Sequence, residues 1–113
     1  MKKTKRNFIK LVDEIKDNGE VVYETYITPS FIPMRKILDA TEILSGNNGY
    51  NDAQLFEVML DFIVDIYQNQ FTKEDLLEKL HAPDAINEIE SQISFVAEGQ
   101  LGDERKKELE RII

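Results

Sequence analysis

The chain has 113 residues, no cysteine, 42% hydrophobic and 32% charged side chains, and a formal net charge of −8. That length suits one domain whose core needs neither metal nor disulfide, and the missing cysteines exclude disulfides and thiolate metal ligands. No apolar run of about 18 residues is present, and the basic start lacks the apolar stretch of a secretory signal, so no membrane helix is expected and the cytoplasm is the expected location.

Charge is unevenly spread. Lys2, Lys3, Lys5, Arg6 and Lys10 stand in the first ten residues with no acid among them, which leaves nine basic and 22 acidic residues, a net of −13, for the rest. So acidic a body speaks against nucleic acid as a partner, because neutralising phosphates takes clustered Lys and Arg. Residues 1–6 read as a basic, frayed end.

Residues 7–28 hold the first structural signal. Asn18-Gly19 suits a two-residue type I′ turn with positive φ at both positions. After it, Val21, Val22, Tyr23, Thr25, Tyr26 and Ile27 are β-branched or aromatic and suit a strand. Before it, Phe8, Leu11, Val12 and Ile15 fit either a second strand or a short helix. A β-hairpin is the favoured expectation, and a helix followed by one strand is the alternative. Pro29 and Pro33 then break the strand, with Pro33 in the first turn of a helix. Ile37, Leu38, Thr41 and Leu44 give that helix one face, flanked by Met34 and Ile43. Gly46 stops it, and Asn47-Asn48-Gly49 make a loop.

Asn51 or Asp52 caps the next helix, expected to run to about Gln68. Glu57, Asp61, Asp65 and Gln68 form one thin polar edge, and the rest is apolar nearly all round. Such a helix lies at a bundle centre or serves two surfaces. Thr72 with Asp75 is close to a capping box for a short helix with Leu76, Leu77 and Leu80. From Pro83 to Ala97, Ile86, Ile89, Ile93 and Val96 repeat at helical spacing up to a stop at Gly99. The tail 100–113 reads as a marginal charged helix anchored by Leu109, Ile112 and Ile113. The expected fold is α+β, mainly α: one domain over 1–113, with a hairpin at 7–28, a helical core at 29–99, and four to five helices in a small bundle.

Chemistry is scarce. The single histidine, His81, cannot build a histidine zinc site without further His or Cys. No nucleophile elbow, P-loop, dinucleotide fingerprint or calcium loop appears, so neither catalysis nor a cofactor is expected. Glu57, Asp61 and Asp65 read as a solvated edge rather than a cation site.

The stretch from Phe62 to Ile93, "FIVDIYQNQFTKEDLLEKLHAPDAINEIESQI", resembles the C-terminal half of tail assembly chaperones of long-tailed phages infecting Gram-positive bacteria. Val64, Ile66, Tyr67, Asn69, Gln70, Phe71, Thr72 and Asp75 carry the likeness, with Thr28, Pro29, Arg35 and Lys36 at the approach to the first helix. It spans about residues 20–97. Gln68 stands where the family has Gly, so α-helix is expected to continue one residue further, and Lys79-Leu80-His81 stands where Asp-Gly is common.

The resemblance implies a protein that holds the tape measure protein while tail tube subunits polymerise around it, and that is absent from the mature virion. It also implies a frameshift-extended form that recruits the major tail protein; Lys106-Lys107 is compatible with A-rich codons or with ordinary surface lysines. Helix-in-groove binding would use Phe56, Met59, Phe62, Ile63, Tyr67 and Phe71, with Ile89 and Ile93. Avidity along a long client makes self-association plausible. An alternative of a different class is an acidic regulator that mimics nucleic acid and blocks a DNA-binding protein. The net charge favours it, but the acids are interspersed with 14 bases and form no long run.

Overall fold

The computed structural model describes residues 4–46, 49–99 and 101–112. In chain order these form strands β1 (Phe8–Ile15) and β2 (Val21–Ile27), then helices α1 (Arg35–Leu44), α2 (Asp52–Ile66), α3 (Lys73–Lys79), α4 (Ala82–Glu98) and α5 (Asp103–Ile112). The fold is α+β, a two-stranded antiparallel hairpin followed by five helices. The expectations for Lys2, Lys3, Asn47, Asn48 and Ile113 lie outside the described residues.

The hairpin forms, but its turn differs from the expected type I′. Gly19 N–H donates to the Lys16 carbonyl at 2.8 Å, and Lys16 N–H donates to the Glu20 carbonyl at 2.8 Å. Of the central pair only Gly19 has a positive φ, +87°. This is a type I turn followed by a left-handed residue. Asn18 contributes its side chain instead, accepting from Glu20 N–H at 2.9 Å. Further down, Val12 pairs with Tyr23 and Glu14 with Val22, so Asp13 is an extra, bulged residue. Below the bulge Ile9 and Leu11 alternate onto the core. Above it the hairpin leaves the core, with Ile15 and Tyr23 exposed.

One cluster joins Ile9 and Leu11 to Ala40, Ile43, Leu60, Phe62, Ile63, Ile66, Tyr67, Phe71, Leu76, Ile89 and Ile93. Helix α2 explains its own composition. Its second half is central and buried, whereas Phe56 in the first half is exposed and Leu55, Val58 and Met59 are half-buried. It begins with a capping box: Asn51 Oδ1 accepts from Gln54 N–H at 2.9 Å, and Asn51 N–H donates to Gln54 Oε1 at 3.0 Å. It ends earlier than expected, at Ile66, because Gln68 and Asn69 adopt left-handed φ values of +53° and +60°. Gln68 thus bends the chain where a helical residue was expected. The chain then enters α3 through the expected box, with Asp75 N–H donating to Thr72 Oγ1 at 3.0 Å and Thr72 N–H to Asp75 Oδ2 at 2.9 Å.

Helix α1 turns a different face inward from the one its apolar pattern suggested. Ala40 and Ile43 are buried, while Met34, Leu38 and Leu44 are exposed. Ala40 is fully buried, and α1 packs against both α4 and α2. A side chain ending at Cβ lets backbones approach closely, so a small residue marks the contact better than a large one.

Candidate partner-binding surfaces

Three fully buried polar residues, Asn7, Thr28 and Gln92, tie the base of the hairpin to the helices. Asn7 and Thr28 are paired across the hairpin base: Thr28 N–H donates to the Asn7 carbonyl at 2.9 Å, and Asn7 N–H to Thr28 Oγ1 at 2.9 Å. The Gln92 side chain on α4 then collects three elements. Its Oε1 accepts from Tyr67 Oη at 2.7 Å and Asn7 Nδ2 at 3.2 Å, and its Nε2 donates to the Phe8 carbonyl at 2.8 Å. Burial pushes the Tyr67 phenol well above its ordinary value, so it serves as a neutral donor.

Arg105 brings α5 into the same network. Its Nε donates to Asn7 Oδ1 at 2.8 Å, a terminal nitrogen reaches Glu88 Oε1 at 3.0 Å, and the Phe8 carbonyl accepts from the same end. The guanidinium lies 4.4 Å from the Phe8 ring centroid, a cation–π contact. Lys10 pairs with Glu108, and Leu109 is buried. Sequence pattern gave no sign of this network, because Asn, Thr, Gln and Arg are ordinarily surface residues. The one usable signal was Gln92, which stands three residues after Ile89 on the apolar face of α4.

Of the eight side chains proposed as partner contacts, Phe62, Ile63, Tyr67, Phe71, Ile89 and Ile93 are buried in the core. Phe71 packs edge-on to Tyr26 at 5.1 Å and tilted against Tyr67 at 5.2 Å. Met59 is half-buried and Phe56 is 39% exposed. In this conformation those two are the ones that reach solvent.

The most exposed large apolar side chains sit elsewhere. Phe31 is 70% exposed, Met34 81% and Leu38 73%, a ridge at the start of α1. Beside it an open groove of about 200 Å³ runs toward α4, walled by Ile32, Pro33, Ile37, Phe95 and Val96 with Lys5 at its lip. A second groove, about 270 Å³, lies between α1 and α2. It is floored by Val58 and Phe62 and rimmed by Asp39, Glu42, Asp61 and Asp65. The acidic edge of α2 is tied down by lysines rather than simply solvated. Lys73 meets Glu57 at 2.6 Å and Asp61 at 3.3 Å, which raises its pKa, the Glu57 hydrogen bond most, and Lys36 pairs with Asp65.

Residues 3–112 match a family described as phage tail chaperone protein. The chain belongs to this family. No curated protein and no solved structure matches it. For a tail chaperone, family membership implies interaction with tail proteins in general and suggests a non-enzymatic role. Among the described residues no helix is long and apolar enough to cross a membrane.

Several of the residues that carried the resemblance are architectural in this tail chaperone. Thr28 closes the hairpin, Thr72 and Asp75 cap α3, and Gln70 Nε2 donates to the Ile27 carbonyl at 2.8 Å. Gln68, where the resemblance led to the expectation of Gly, is left-handed at φ +53°, as Asn69 is at +60°, a conformation that strains an L-residue. That part of the shared motif therefore describes how the chain turns from α2 to α3.

Proposed function

We propose that this tail chaperone binds the tape measure protein, keeps it from aggregating while the major tail protein polymerises around it, and is absent from the mature virion. The match of residues 3–112 to phage tail chaperones carries this reading. The exposed Phe31–Met34–Leu38 ridge supports it, since monomeric soluble proteins seldom leave such side chains together without a partner. The net charge of −8 suits a protein that must stay dissolved beside an apolar client.

The work is done in the cytoplasm of a bacterial host, Gram-positive by the sequence resemblance, and needs neither a cofactor nor catalysis. A frameshift-extended form recruits the major tail protein, and copies of the chaperone associate along the client. Of the proposed contact residues, Phe56 and Met59 join the binding surface directly, and the six buried ones hold its shape. The test is co-expression of the full chain with segments of the tape measure protein from the same phage, followed by affinity capture. A stable one-to-many complex is expected, and the absence of any complex at low salt refutes the reading.

A further inference from the structure

We infer that the ridge and groove at the start of α1 dock an amphipathic helix of a partner protein whose apolar stripe is flanked by carboxylates. The apolar contact comes from the ridge, with Met34 and Leu38 four residues apart, Phe31 in the segment that leads into α1, and the groove lined by Phe31, Met34, Phe95 and Val96 alongside. A helix laid there would place side chains at every third and fourth position into the groove.

The charge half runs against the molecule as a whole. The chain is net −8, yet the cations at this corner have no carboxylate partner among the described residues. Arg35 projects from the same turn as Met34, and Lys5 at the groove lip donates only to the Gly99 carbonyl, at 3.4 Å. Lys10, Lys16, Lys36, Lys73, Lys79 and Arg105 all meet a carboxylate, whereas Arg6, Lys106, Lys107 and Arg111 meet none among the described residues; Lys5 and Arg35 differ from those four in standing beside the exposed apolar ridge. The N-terminus of α1 adds to this. It has no capping side chain and no acid in its first turn, whereas α2 and α3 have both. A carboxylate arriving there meets a positive helix end as well as Arg35. Charge complementarity thus selects an acid-flanked helix, although the net charge alone would select a basic one.

This deepens the client-binding reading and rests on it only in taking the occupant to be another protein. The probe is a pair of amidated peptides of about 18 residues with the same leucine stripe, one flanked by Glu and the other by Lys. Each is titrated into the full chain by fluorescence anisotropy at low and high salt. The Glu peptide is expected to bind at least about tenfold more tightly than the Lys peptide and to weaken with salt. Met34→Ser/Leu38→Ser is expected to abolish binding, and Arg35→Glu to reverse the preference. All three side chains are exposed, so unchanged circular dichroism should certify the variants.

A tighter Lys peptide, no binding of the Glu peptide at low salt, or binding that survives the double variant overturns the inference. So does a wild-type oligomer that the double variant dissociates, since the ridge would then belong to a second copy. If wild type and double variant capture a tape measure segment equally, the chaperone reading stands and this inference falls. If neither captures one but the Glu peptide binds as expected, the reverse holds.

Discussion

At the level of single residues, the fold depends on a few side chains in unusual positions. Gln68 holds φ at +53°. The left-handed conformation costs an L-residue roughly 1–2 kcal/mol, and glycine's extra freedom in the unfolded chain returns roughly half of that. Gln68→Gly is therefore expected to raise the melting temperature by about 2–4 °C, read by thermal circular dichroism. Gln92 is the opposite case, a polar side chain that cannot be spared. Gln92→Leu leaves the Tyr67 hydroxyl and the Asn7 amide without their acceptor and should cost about 2–4 kcal/mol in urea unfolding. Tyr67→Phe removes one bond while Asn7 still satisfies Gln92, and should cost only about 1 kcal/mol. Equal losses for the two variants would mean that the amide is not the hub.

At the level of elements, caps and clamps decide where helices begin and stay. The Thr72 backbone hydrogen bond, with Lys79 nearby, holds the Asp75 carboxyl below its ordinary value of 3.8. A depressed folded pKa gives stability that is fully present above that ordinary value and is lost as pH falls through the folded value. Asp75→Asn should thus melt below wild type at pH 7, and the gap should close as the pH is lowered beneath about 4. A gap that persists at pH 2 would mean that the hydrogen bond rather than the charge matters. Helix α5 is held by Arg105 as much as by Leu109, since one guanidinium serves α4 and the hairpin base together. Arg105→Ala should raise amide exchange along α5 to near that of a free helix while α2 stays protected, because so short a charged helix is marginal alone.

These elements also show how far the sequence could be read. The capping box of α3, a cap at Asn51 or Asp52, the hairpin, the α4 stop at Gly99 and the family likeness were visible because each is written in nearby residues. The inward face of α1 was not. Leu38 and Leu44 point outward, and the contact is made by Ile43 with Ala40, which no hydrophobic pattern singles out. The Asn7–Thr28–Gln92–Arg105 network was equally hidden, since its members are up to 98 positions apart and their partnership exists only once the chain has folded. The aromatics of α2 and of the turn that follows it were legible as clustered. Their division between core and surface was not, because it depends on where α3 and the hairpin settle.

At the level of the whole molecule, the hairpin is fastened to the helices by polar groups that only the complete fold satisfies. A two-stranded sheet is marginal by itself, and its base is locked to α2, α4 and α5 through Gln92 and Arg105. Native-state hydrogen exchange should therefore give β1 amides near Phe8 and α4 amides near Gln92 the same opening free energy. A hairpin that opens well below α4 would divide the chain into two cooperative units.

The bare start of α1 carries a consequence for how occupancy and stability are linked. With no capping side chain, and with Arg35 and Lys36 at the positive end of its dipole, α1 begins less favourably than α2 or α3, which have both a cap and an acid there. On the docking proposal, a partner carboxylate arriving at that end would supply the missing cap, so α1 would be more stable when the ridge is occupied than when it is free.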